Sequence, residues 1–235
     1  MLRRAVFIPL AAPLLLVSGV GVGKLTARAL ALPEELVVRE DETMPRIGLE
    51  ALGERMRQVR EAGVDTEEYV MLYREHVAPV ERALRRHGVS PSLARKVAWP
   101  LVEYSSRNGL DPATVASVVV VESSGRPDAT SPVGARGLMQ VMPAHAGRWH
   151  GCSGDVRDLY DIEQNICYGT SILAGFMRAY RGDERRALLG YNGCIRGTNT
   201  PDCFSYPDKV ARVRRTIRRE MEAARQSFSQ VVEGP

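Results

Sequence analysis

Apolar positions in the first half of the chain recur at helical spacing. Leu49, Leu52, Met56 and Val59 step by three, four and three. After Gly63, Val70, Tyr73, Val77, Val80 and Leu84 step in the same way until Gly88, so residues 47–89 read as a helical hairpin interrupted at Pro79. Ser90-Pro91 supplies the cap and first-turn pair of a third helix that Asn108-Gly109 ends, and Asp111-Pro112 repeats the start signal for a fourth. Val210, Val213, Ile217, Met221, Ala224 and Phe228 make the tail a long amphipathic helix. There is no internal repeat and no succession of alternating strands, so the predicted fold class is mainly α. One stretch is ambiguous. Val118 to Val121 is a β-branched run that propensity alone assigns to a strand, whereas the Asp-Pro start and the length from Ala113 to Ser123 favour a buried helix. On the helical reading Glu122 occupies the last turn.

The ends of the chain read differently. Residues 1–31 have the layout of an export signal: Arg3 and Arg4, an uncharged and mostly apolar stretch from Ala5 to Gly23, and Ala29-Leu30-Ala31 as a cleavage site. The length of the apolar stretch leaves an uncleaved membrane anchor as the alternative. Residues 32–46 are acidic, hold two prolines and read as a linker. The remainder, 90–235, is long enough for one domain with a real core, and a hydrophobic content of 44% agrees. Residues 1–31 carry four basic residues and no acid, so the rest of the chain balances 28 basic against 28 acidic residues. Bulk charge therefore gives no reason to expect a nucleic-acid partner. The arginines of the tail, Arg212, Arg215 and Arg219 with Arg214 and Arg218 beside them, read as a solvated face; attraction to anionic wall or membrane polymers is the sharper alternative.

Four cysteines, an even number, fit an exported protein. Disulfides Cys152–Cys167 and Cys194–Cys203 are the simplest of three connectivities. A zinc site drawing on His145 and His150 is the alternative, but there is no C-x-x-C spacing. No metal or other cofactor is expected.

Glu122 is the candidate acid. It follows a run of valines and precedes Ser123, Ser124, Gly125 and Pro127. A carboxyl at the negative end of a helix, against valines, should hold its proton toward neutrality. From the residues alone a helix end followed by a loop is the better explanation of the stretch, because a single acid is weak evidence. The wider pattern adds to it. "ESSGRPDATSPVGARGLMQVMP" resembles the signature of the soluble lytic transglycosylase family, lysozyme-like enzymes that cut bacterial peptidoglycan, through Glu122, Ser123, Pro127, Ala129, Ser131, Gly134, Ala135, Gly137, Leu138, Met139, Gln140 and Pro143. "DIEQNICYGTSIL" is similar to the family's helix through Asn165 and Gly169, "ALLGYNG" to its tyrosine-asparagine block through Ala187, Tyr191 and Asn192, and "YPDKV" to its closing element. The resemblance spans residues 95–215, with departures at His145, Gly193-Cys194 and Pro207.

The resemblance implies a lysozyme-like (α+β-type) catalytic domain with extra N-terminal helices, acting on peptidoglycan glycan strands outside the cytoplasm. It implies that Glu122 protonates the leaving glycosidic oxygen and then, as a base, takes the proton of the sugar's own 6-hydroxyl, closing a 1,6-anhydro ring. Tyr191 would bond to the acid or to the sugar, Ser131 would contact the N-acetyl group, and Met139 and Gln140 would line the cleft. Asn192 and Tyr206 are further candidates, as is Ser123, whose other role is to cap the helix end. The expected state is a monomer, with membrane contact either peripheral or through an anchor. Two other readings stay open: a hydrolase resembling goose-type lysozymes, for which Asp128 is the first second-carboxylate candidate and Asp155 the next, and a non-catalytic wall-binding scaffold.

Overall fold

The computed structural model describes residues 48–62, 66–145, 152, 158–194 and 203–232. The expected leader (1–31) and acidic linker (32–46), together with His150 and Asp155, lie outside these. Pro45–Pro235 form one compact unit. Helix α1 covers Leu49–Ala62; α2 (Thr66–Leu72) continues through a π-helical turn, Tyr73–Val77, into α3 (Ala78–Arg86). Then come α4 (Pro91–Arg107), α5 (Pro112–Ser123), α6 (Ile162–Ala179), α7 (Glu184–Tyr191), a 3-10 turn at Cys203–Ser205 and α8 (Tyr206–Val232). The described residues contain no strand, only two antiparallel bridges, Thr130–Arg136 and Arg136–Val141. The fold is mainly α.

Local chemistry sets the helix starts. Asp111, Asp161 and Asp183 each accept a backbone N–H of the first turn they precede, from Ala113, Gln164 and Arg186. Pro91 occupies the first turn of α4, although the Ser90 side chain makes no capping bond. The valine run is helical. Every residue from Ala113 to Val119 is buried, because α5 runs through the centre and packs against α8, α4 and α3. A helix covered on all sides has no polar stripe to display.

The periodicity fails in two places, the first being Leu49 at the start of α1, which is 39% exposed. Val70, counted on the apolar face, is 43% exposed, and the buried positions are Leu72, Val77, Val80 and Leu84. The step of five from Leu72 to Val77 is that of the π turn, in which the Ala78 N–H reaches back to the Tyr73 carbonyl. Pro79 accounts for the irregularity: it has no N–H to offer the Glu75 carbonyl, which accepts instead from Arg225 Nε on α8 at 3.3 Å.

Helix α1 lies along α4, and α3 lies against α4 and α8, while α1 and α2 meet at an Arg55–Glu68 ion pair. A Cβ on Gly53 would stand 2.3 Å from the Arg107 backbone nitrogen, so α1 and α4 approach at a distance only glycine permits. Beside that contact the fully buried Glu103 accepts two bonds from Arg60, both 2.9 Å, and one from Trp99 Nε1 at 3.3 Å. Arg60 also pairs with Glu163 at 3.1 Å, which accepts the Tyr104 hydroxyl at 2.8 Å. In the tail helix, Arg218 pairs with the α5 cap Asp111 at 2.6 Å and Arg214 with Glu184. Arg212, Arg215 and Arg219 are exposed.

Candidate active site

Helix α5 ends where its sequence stops supporting a helix. Ser124 takes a left-handed conformation (φ 54°), and Gly125 follows with φ 73° against Val89, whose methyl a Cβ would meet at 2.4 Å. That stop leaves Glu122 in the last turn, half-buried, with its carboxyl enclosed. The Tyr206 hydroxyl, from the first residue of α8, donates to Glu122 Oε1 at 2.6 Å. Burial raises the Glu122 pKa to about 7, and the Tyr206 bond, which favours the charged form, holds it from going higher. Burial together with the nearby Glu122 carboxyl in turn pushes the hydroxyls of Tyr191 and Tyr206 well above the usual tyrosine range.

A loop from Ala129 to Val141 makes the wall beside the acid. The Arg136 N–H donates to Val141 O at 3.0 Å and Val141 returns the bond at 2.9 Å, while Gly137 N donates to Ala129 O at 2.9 Å. Asn165, buried on α6, satisfies three loop groups at once: its Oδ1 accepts from Met139 N at 2.7 Å, and its Nδ2 donates to Arg136 O at 2.8 Å and Leu159 O at 2.7 Å. Gly137 (φ 76°) is required by this clamp, since a Cβ there would lie 2.2 Å from Asn165 Nδ2. Gly169, one turn further along α6, leaves room for the Met139 side chain, whose sulfur a Cβ would meet at 2.5 Å.

The expected site residues separate into two groups. Glu122 and Tyr206 are in contact. Tyr191 lies near them, but its hydroxyl donates to the Met139 carbonyl at 2.7 Å, so the group on the acid is Tyr206 and not Tyr191. Ser123 is buried, and its hydroxyl donates inward to Val119 O at 3.1 Å and Leu138 O at 2.8 Å, fastening the loop to α5. Met139 is fully buried. Ser123 and Met139 are thus packed into the wall beside the acid. Gln140 is half-buried and donates to Gly137 O at 2.9 Å and Ala129 O at 3.2 Å. Ser131 Oγ accepts the Ala135 N–H at 3.0 Å, and the Asn192 amide contacts Cys194 Sγ at 3.3 Å. Asp128 is exposed, and no other carboxylate acts on Glu122 among the described residues.

Cys152 is bonded to Cys167 and Cys194 to Cys203. With all four thiols consumed there is no set for zinc, and the described residues hold no cluster of His, Cys, Asp or Glu able to bind a metal. Two surface hollows share Leu49, Asp111 and Arg218 at the start of α5, about 16 Å along the helix axis from Glu122; they do not belong to this site. Two supports were not assigned a structural part from the sequence. One is the clamp role of Asn165, visible only as a pattern match. The other is Arg136, hidden as the variable position between Ala135 and Gly137.

Residues 100–200 match the family described as Transglycosylase SLT domain. Over 110 residues the chain is 46% identical to a protein named Transglycosylase from Enterobacteria phage PRD1, covering 45% of this chain and 38% of that one. It is 35% identical over 88 residues to a Membrane-bound lytic murein transglycosylase E of Buchnera aphidicola, covering 35% and 40%. It is 32% identical over 103 residues to an Endo-type membrane-bound lytic murein transglycosylase A of Klebsiella pneumoniae, covering 41% and 45%. The chain thus spans about two fifths of the length of these relatives.

Proposed function

From the match of residues 100–200 to the Transglycosylase SLT domain we infer that the chain belongs to that family and is a lytic transglycosylase that cuts the glycan strands of murein. The observation that carries the reading is an enclosed carboxyl, Glu122, with a pKa of about 7, a tyrosine hydroxyl on one oxygen and, among the described residues, no second carboxylate acting on it. A hydrolase of the common kind uses two carboxyls. One carboxyl suffices when the nucleophile is part of the substrate. Glu122 gives its proton to the glycosidic oxygen as the bond to C1 of the muramic residue breaks. The resulting carboxylate takes the proton of that residue's 6-hydroxyl as its oxygen bonds to C1. The ring closes as a 1,6-anhydro sugar, Glu122 is again protonated, and water is not consumed.

The substrate places the chain outside the cytoplasm. Two disulfides suit an oxidising compartment, and two of the relatives are named membrane-bound. No helix among the described residues is long and apolar enough to cross a membrane.

The test is to weigh the fragments released from murein by the protein and by Glu122→Gln. Fragments one water lighter than hydrolytic products are expected, with the variant slower by about 10²–10⁴-fold, the usual contribution of general acid–base catalysis. Reducing ends in place of anhydro ends would make the protein a hydrolase. Cleavage by Glu122→Gln at the full rate would remove Glu122 from the mechanism.

A further inference from the structure

The wall that supports Glu122 also carries a cation to which the described residues offer no hydrogen-bond acceptor or ion-pair partner. Arg136 is fixed through its backbone, which bonds to Val141 and to Asn165. Its side chain is half-buried, and its guanidinium carbon sits 5.6 Å from the centre of the Tyr160 ring. That ring is held in turn by a 2.8 Å hydrogen bond between its hydroxyl and Thr130 Oγ1, and it is 40% exposed. The Arg136 Nε is buried and has no hydrogen-bond partner. No ion pair or hydrogen bond of the described residues involves the rest of the guanidinium. Other partly buried arginines here are matched: Arg60 to Glu103 and Arg214 to Glu184.

A buried N–H without an acceptor is unfavourable and uncommon in folded proteins, so each instance asks for a missing acceptor. A guanidinium laid on an aromatic face has its donor fork oriented in advance, and that fork matches the two oxygens of a carboxylate. A neutral carbonyl would leave a half-buried charge uncompensated. The position is adjacent to the chemistry: two residues on, Leu138 O accepts from Ser123, the neighbour of Glu122, and Met139 O accepts from Tyr191.

We propose that Arg136, with Tyr160 and Thr130 behind it, forms a subsite that binds a carboxylate carried by the glycan substrate. The proposal rests on the murein reading above. Such a carboxylate has two sources: the lactyl group of an unsubstituted muramic residue, or the peptide stem of a substituted one.

The experiment measures binding in the Glu122→Gln background, so that nothing is turned over, with and without Arg136→Gln or Arg136→Lys. The probes are soluble murein strands bearing peptides, strands stripped of peptides, and strands whose carboxyls are amidated. Arg136→Gln is expected to weaken binding to the acidic strands about tenfold or more, the scale of a charge-assisted hydrogen bond. It should leave the amidated strands unaffected, and Arg136→Lys, which keeps the charge without the fork, should recover only part of the loss. A loss on stripped strands assigns the lactyl carboxylate; a loss confined to peptide-bearing strands assigns the stem. Equal weakening on acidic and amidated strands, or no weakening on any, overturns the subsite. Carboxylate-dependent binding together with a parent protein that cleaves nothing would instead overturn the enzymatic reading and leave the subsite standing. Absence of binding to all three probes would overturn both.

Discussion

A group that first gives a proton and then takes one back works best with a pKa near the working pH, and Glu122 is brought there by two opposed effects. Burial raises its pKa and the Tyr206 hydroxyl lowers it. Tyr206→Phe removes the lowering effect alone, so the pKa rises further. The alkaline limb of kcat/KM against pH should move up by roughly one to two pH units, because a hydrogen bond to a charged group is worth about 1.5–3 kcal/mol. An unmoved limb would mean that another group controls the acid. Stability carries a matching signature. An acid whose pKa is raised from 4.5 to about 7 on folding binds more protons folded than unfolded between those values. Stability therefore falls as pH rises through that window, by about 3 kcal/mol in all. Glu122→Gln has no such dependence, so its melting temperature should exceed the parent's above pH 7 and the gap should close toward pH 4.5. At this scale Glu122 was legible through the family signature around it, since a carboxylate ending an apolar helix does not by itself separate an acid from a plain helix end. The identity of its hydroxyl partner was not. Tyr191 ends α7 and Tyr206 begins α8, and nothing local to either decides which one reaches a residue on α5.

Between residue and molecule, the loop from Ala129 to Val141 stays in place because α6 holds it. Asn165 presents one acceptor and two donors in the geometry that three backbone groups need. Asn165→Asp keeps the acceptor, deprives two carbonyls of their donors and puts a carboxylate in a position that is 1% exposed. A loss of about 3 kcal/mol or more is expected in urea denaturation. Activity should fall even under conditions where the variant remains folded, since the wall behind Glu122 depends on this side chain. Full activity in a folded Asn165→Asp would show that the clamp serves stability alone. The starts of α4 and α5 were readable because Ser-Pro and Asp-Pro signals act within a few residues. The π turn at Tyr73–Val77 was not, since it depends on Pro79 and on an arginine of α8, 150 positions away. That is why the apolar count placed Val70 on the wrong face.

For the whole molecule, the matched segment 100–200 is not closed on itself. Tyr206, which holds the acid, lies beyond its end. Glu103 lies within it and is fully buried, yet its bidentate partner, Arg60, comes from α1, far upstream. A buried ion pair adds little net stability when both charges are present, but removal of one partner leaves the other desolvated and typically costs about 3–5 kcal/mol. Arg60→Ala should therefore destabilise by about that amount, a fall in melting temperature of roughly 10 °C for a protein of this size. Arg107, 3.5 Å from Glu103, compensates only in part because it makes no fork. The double change Arg60→Met, Glu103→Leu removes the charge along with its partner and should recover most of the loss, whereas additive losses in the double variant would mean that the pair is not coupled. The same cycle decides what the N-terminal helices are for. If Arg60→Ala unfolds the site along with the rest in one transition, α1 is part of the catalytic body. If α1 detaches first and murein cleavage persists, residues 47–89 form a separable module on an enzyme that stands without them.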